Sequence, residues 1–190
     1  MNCVTLAVEG GHDDGPSKCQ SAIGCSQPFA LTVRDHGNLF AGPSLHRCGS
    51  AAFKPGMEQV LADKGSQVAA YFLMFPIESK HPDSRSAAQA VLAANQLGKF
   101  KEMHDKLFEE APRHNRDNVT AYAKALWLDP AAFAKAYDAS SGQVTSDLKQ
   151  GEKAGVDSTP TLFFNDRKYE GPMHPRYIEM WIDEELAVNR

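Results

Sequence analysis

The spacing of apolar positions changes along the chain, and each change predicts an element. Residues 1–27 are rich in Gly, Ser and Asp without a sustained period, which predicts a loose N-terminal segment. Pro28–Val33, PFALTV, reads as a strand that HGNLFAGPS then breaks. Phe53, Met57, Val60 and Leu61 recur at helical spacing, and Gly65 is placed to stop that helix. Pro55 and Gly56 fall inside this pattern and predict a kink, or a helix that begins later. Gln67–Ile77, QVAAYFLMFPI, is a nearly continuous apolar run of strand length closed by Pro76, as expected of a strand buried on both faces.

From residue 82 to 155 the period is helical. Ser84–Leu97 is Ala-rich and ends at Gly98, and Phe100, Met103, His104, Leu107 and Phe108 make one face of the next helix. His104 on that face reads as a packing residue. Asp117 is placed to cap a helix through Leu126, and Asp129-Pro130 supplies an N-cap followed by Pro in the first turn. A further helix runs from about Val144 to Ala154.

Next comes GVDSTPTLFFNDRKYEGP, in which Thr159-Pro160 opens the apolar run Leu162-Phe163-Phe164, a polar turn Asn165–Lys168 follows, and a short second strand leads to Gly171. A last helix is expected from Pro175 to about Val188, with Tyr177, Ile178, Trp181, Ile182 and Leu186 on one stripe and Asp183-Glu184-Glu185 on a solvated face. A strand–helix–strand unit followed by a hairpin and a helix is an α/β arrangement. The division is then 28–81 with 156–190 as the α/β domain and 82–155 as a helical insertion.

Composition narrows the function classes. The chain has 190 residues, 42% apolar and 23% charged, enough to bury a real core. The formal net charge of -4, and aromatics not interleaved with Lys or Arg, argue against a nucleic-acid partner. No run of about 18 apolar residues suggests a membrane span. The N-terminus has no basic region ahead of a long apolar stretch, so a cytoplasmic location is expected; a removed leader would make it periplasmic. Cys3, Cys19, Cys25 and Cys48 all lie in the first quarter of the chain, which disfavours a disulfide-stapled scaffold, and no C-x-x-C occurs. His12, Cys19, Cys25, His46 and Cys48 match no common zinc spacing, so no metal is expected.

The segments AAFKPGMEQVL, YFLMFPI, HPDSRSAAQAVLAANQLGKFKEMHDKLFE, GEKAGVDSTPTLFFNDRKYEGP and YIEMWIDEEL together resemble the DsbA-like thiol–disulfide oxidoreductases, over about residues 51–188. The resemblance implies a thioredoxin-like fold with an inserted all-α subdomain. It implies a cis-proline at Pro160 and a preceding Thr159 whose backbone pairs with a substrate chain. It also implies a cysteine at the N-terminus of the first helix, activated by the helix dipole and acting through a mixed disulfide, and a second cysteine three residues on.

The chain departs from that pattern where the chemistry should be. The usual pair would fall near Arg47 and Ser50, and neither is cysteine; Cys48 lies between them in HRCGS. Cys48 is therefore the candidate nucleophile, with His46 two residues away and Ser50 at the helix start. Three functions are open. The first is an oxidoreductase or isomerase acting through Cys48 on protein, peptide or small-molecule disulfides, with no resident cofactor and glutathione as a candidate co-substrate. The second is a redox-inactive peptide-binding module that keeps the groove, with Thr159 and Pro160. The third is a glutathione-dependent transferase or isomerase in which Ser50 hydrogen-bonds the glutathione sulfur.

Overall fold

A computed structural model describes residues 2–8, 49–165 and 167–188. Within them the chain divides into two compact units, one of Met74–Gly155 and one of Asn2–Leu73 with Val156–Arg190.

The second unit holds a four-stranded sheet. Its strands are β1 (Asn2–Val8), β2 (Val68–Met74), β3 (Leu162–Phe164) and β4 (Arg167–Lys168), in the order β2-β1-β3-β4. β1 pairs parallel with β3, Val4 opposite Leu162 and Leu6 opposite Phe164, and β3 pairs antiparallel with β4. For residues 2–8 this corrects the expectation of a loose segment, because Asn2–Val8 is an inner strand, and residues 9–27 lie outside the described residues. NCVTLAV is rich in β-branched and apolar residues, as a strand held between two neighbours requires. Its brevity and the Gly-rich run behind it hid that pattern. The strand expected at Pro28–Val33 lies outside the described residues.

Helix α1 (Gly49–Lys64) runs unbroken with Pro55 inside it, in place of the later start that Pro55 had suggested. Pro55 lies seven residues in and removes one intrahelical donor, and burial of Phe53, Met57 and Val60 on one face offsets that loss. A 3-10 turn, Gly65–Gln67, leads into β2. Helix α7 (Pro175–Val188) buries Ile178, Ile182 and Leu186, while Tyr177 of the expected stripe faces solvent. Where α1 and α7 meet, a Cβ on Gly56 would lie 2.2 Å from Pro175 Cγ, so this glycine is required for the close approach. One apolar cluster joins Phe53, Met57 and Val60 of α1, Ala70 of β2, Leu162 and Phe164 of β3, Tyr169, and Ile178, Ile182 and Leu186 of α7. In β2, Val68 and Tyr71–Leu73 are half-buried, less than a strand covered on both faces would be.

The other unit contains α2 (Ser84–Gln96), α3 (Phe100–Glu109), α4 (Arg116–Ala125), α5 (Pro130–Ala139) and α6 (Ser141–Lys153). Helix α2 is its centre: it packs against each of the other four and buries Ala87, Ala88, Ala90, Val91, Leu92, Ala93 and Ala94. The alanines explain why one helix takes so many neighbours, since small side chains let backbones approach on several faces. Asp129 caps α5 by accepting from Ala132 N at 2.7 Å, with Pro130 opening the helix. At α4 the cap is Asn115, which accepts from Asn118 N, and not the expected Asp117, which falls inside the first turn. His104 packs between Phe100 and Phe108 at centroid distances of 5.5 and 4.9 Å, as its apolar face suggested.

After α4 the chain turns through Trp127, whose φ of 61° is left-handed. The backbone bonds Trp127 N to Lys124 O and Leu128 N to Ala123 O close this turn in the manner usually reserved for glycine. Trp127 is 94% exposed and so gains no packing in return.

Asp147 of α6 is buried and accepts from Met74 N at 3.0 Å and from Gln143 Nε2 at 2.6 Å. Burial pushes its carboxyl above the ordinary range, against the two hydrogen bonds that favour the charged form. A group raised in this way contributes stability below its unfolded pKa and loses it as pH climbs through the folded value. Asp147→Ala, which orphans the Met74 N–H, is expected to cost about 1–3 kcal/mol in urea unfolding at neutral pH. Asp147→Asn, which keeps an acceptor and removes the buried charge, should cost less, and its stability relative to the native chain should improve between about pH 4 and pH 7. An Asn variant as damaging as Ala at neutral pH would contradict this account. Trp127→Gly should raise stability by about 0.5–1 kcal/mol by removing the left-handed strain, read as a higher unfolding midpoint.

Candidate functional site

The site is built from the start of α1 and the loop that precedes β3. Helix α1 begins at Gly49, the residue after Cys48, and its first turn carries no acidic side chain. The unpaired amides that open a helix carry a partial positive charge that favours an anion, and no carboxylate in this turn competes for it. Ser50 is the second residue of the helix. Cys48 and His46 lie outside the described residues.

The Thr159–Pro160 peptide bond is cis, as the sequence led us to expect, and both residues are half-buried. The loop is held on both sides. Thr161 is buried and its Oγ1 donates to Ser158 O at 2.7 Å, so the turn closes on itself across Pro160. Ser158 Oγ in turn donates to Asp157 Oδ1. Leu162, two residues beyond Pro160, is fully buried in the same apolar cluster as Phe53, three residues beyond Ser50. The helix start and the proline loop are thus anchored to one core, although they are more than 100 residues apart in sequence.

The hairpin after the loop is fixed by a group that the sequence did not single out. Glu185 was placed with Asp183 and Glu184 on a solvated face, but it is buried. Its Oε1 accepts from Arg167 Nη1 at 2.7 Å and its Oε2 from Asn165 Nδ2 at 3.0 Å. Arg167 also lies over the Trp181 ring, 4.6 Å from its centroid, and Trp181 packs on Phe164 and Tyr169 at 5.8 and 5.4 Å. Asn165, at φ 56°, makes the left-handed turn between β3 and β4, a conformation Asn tolerates. A signal was present: Glu185 follows Ile178 and Ile182 at helical spacing, so its carboxylate shares the buried face.

Tyr169 closes the hairpin. Its hydroxyl donates to Pro172 O at 2.9 Å, and a Cβ on Gly171 would lie 2.4 Å from the Tyr169 hydroxyl oxygen, so only glycine fits beneath the ring. Burial holds the Tyr169 phenol above its ordinary pKa, which keeps it a donor. Among the described residues, no group of three His, Cys, Asp or Glu side chains is placed to hold a metal ion.

The family profile described as thioredoxin matches residues 47–184, and the chain belongs to the thioredoxin family. The match begins at Arg47, so it takes in Cys48 and Ser50. A solved structure, a thioredoxin-like oxidoreductase from Silicibacter pomeroyi, superposes with a TM-score of 0.62 over 71% of this chain and 78% of that one at 20% identity, which shows the shared fold. Curated relatives include a Na(+)/H(+) antiporter NhaA 3 of Salinispora tropica, 32% identical over 66% of this chain and 19% of its own length. Another is NhaA 1 of Salinispora arenicola, 29% identical over 84% of this chain and 24% of its own length. The chain therefore spans only about a fifth to a quarter of these relatives. No described helix is long and apolar enough to cross a membrane. The fold is thus a thioredoxin-like α/β domain with a helical insert.

The Glu185 assembly makes a specific energetic demand. Arg167→Ala leaves a buried carboxylate short of its cation, so it should destabilise the native chain more than it destabilises an Glu185→Met background. Because Arg167 is half exposed, the coupling in a double-mutant cycle by urea unfolding is expected at about 1 kcal/mol. Simple additivity would mean that the hairpin is not held by this pair.

Proposed function

We propose that the chain is a thiol–disulfide oxidoreductase or isomerase that works through one thiol, Cys48, with Thr159 and Pro160 as the substrate platform. The observation that carries the proposal is that α1 of this thioredoxin-family fold begins directly after Cys48 with no acidic residue in its first turn. A thiolate at that place is favoured by the helix amides. His46, if protonated, adds to the effect.

The chemistry is exchange. The Cys48 thiolate attacks one sulfur of a substrate disulfide, a new Cys48–sulfur bond forms, and the other substrate sulfur leaves as a thiolate. A second thiol, for which glutathione is the proposed co-substrate, then attacks the mixed disulfide and releases Cys48. No net electrons enter or leave the protein, so the cycle needs no resident cofactor. Leu45 and Ala51, three residues to either side of Cys48, are not cysteine, so the trapped substrate has no neighbouring thiol in C-x-x-C spacing to release it. Release therefore depends on an outside thiol, and slow, isomerase-like turnover follows.

That same absence favours the second reading, a redox-inactive module that binds extended peptides beside Thr159 and Pro160. A third, glutathione-dependent transfer with Ser50 hydrogen-bonding the glutathione sulfur, uses the same helix start. Ion exchange is named for antiporters several times this chain's length, and it is not proposed for this domain.

Alkylation of the native chain over a pH series, with the labelled site identified by mass spectrometry, separates the first two readings. Cys48 is expected to label faster than Cys3, Cys19 and Cys25, with a midpoint below the ordinary thiol value of about 8.5. Cys48→Ala should abolish exchange with a disulfide substrate, and Ser50→Ala should weaken glutathione use only if the third reading holds. Equal labelling of all four thiols would leave the binding module in place of the enzyme.

A further inference from the structure

The connection between α3 and α4 holds a buried group that the thiol chemistry does not use. His114 is only 4% exposed, and neither of its ring nitrogens has a hydrogen-bond partner among the protein groups. A neutral imidazole carries one donor and one acceptor, and with only the Arg113 backbone close enough to act on the ring, their burial is poorly compensated. Ser84, in the first turn of α2, is also buried with its hydroxyl unmatched.

The surrounding connection is well tied. Arg113 N donates to Glu110 O at 3.0 Å, the Arg113 guanidinium pairs with the Glu110 carboxylate, the Tyr122 hydroxyl of α4 donates to Arg113 O, and Asn115 caps α4. Unmet polar atoms inside an otherwise satisfied junction are what a second, open arrangement would relieve.

The charged and titratable groups that act on His114 are His81 and Asp83, from the segment before α2, and Glu110, after α3. Glu110 is held by Lys106 of α3 as well as by Arg113. Burial is the largest influence on the ring and draws its pKa below the ordinary value. The Arg113 backbone, Asp83 and Glu110 act in the opposite direction, and His81 acts with burial.

We infer that the α3–α4 connection is a proton-operated latch, closed around neutral His114 and opened when that ring takes up a proton and moves out to water. Asp83 and Glu110 favour the charged ring electrostatically. The sign follows from the burial. The closed state disfavours the charged ring, whereas the ring in an open connection titrates normally near 6.5. Opening is therefore independent of pH above that value and favoured below it.

The test is hydrogen exchange on the full chain, followed residue by residue and corrected for intrinsic rates. One linked proton makes the opening constant rise, by up to about tenfold, between about pH 7.5 and about pH 5.5, so amides at 113–119 should lose protection by the same factor. Amides of α6 serve as the control and should change less than about twofold. His114→Phe, which fills the pocket without a titratable group, should abolish the response, and His114→Gln does so if the Phe variant fails to fold. The His114 ring itself, followed by NMR in the native chain, should titrate below 6.5. The inference is overturned if that ring titrates at or above its ordinary value. Equal loss of protection in α6, or a pH response that survives both substitutions, would overturn it too.

Discussion

The three residues of β3 must be buried on every side, and the rest of the α/β unit is arranged to meet that requirement. Leu162, Phe163 and Phe164 are all buried, with β1 on one edge and β4 on the other. Helices α1 and α7 supply the apolar cover for Leu162 and Phe164. That single constraint places the loop of Thr159 and Pro160 at one end of β3 and the Asn165 turn at the other. It also ties the first turns of α1 to the same core through Phe53. The shared core holds the start of α1 and the proline loop within one unit.

The polar groups around the hairpin show how a short sheet edge is kept in one register. β4 has two residues and too few ladder bonds to hold itself. Glu185 supplies the missing restraint from α7, taking Arg167 and Asn165 together while Trp181 covers the guanidinium. A buried carboxylate is costly by itself, so its presence is explained by the partners it orders rather than by added stability. Gly171 beneath Tyr169 and Gly56 beneath Pro175 serve the same end, allowing contacts that any Cβ would block.

Cys48 stands in a family fold without a second cysteine at 47 or 50, and this shapes the chemistry that can be expected. The helix start that would activate a thiol is retained, and so is the proline loop. An internal route for resolving a mixed disulfide in the C-x-x-C manner is absent from the sequence.

Much of the architecture was legible in the pattern of residues. Helical spacing marked α1 through Phe53, Met57 and Val60. Asp129-Pro130 marked the start of α5, and Thr159-Pro160 before Leu162 marked the hairpin. These signals are local, because a period, a cap or a turn depends on residues a few positions apart. The misreadings were of another kind. NCVTLAV became an inner strand because β3 offered it a parallel partner more than 150 residues away in sequence, and nothing near Asn2 announces that partner. Glu185 left the solvated face because Arg167 and Asn165 folded against it. The sequence by itself determined which segments are helix and hairpin. Only tertiary structure decided which polar groups are buried and what they face, since burial is set by partners distant along the chain.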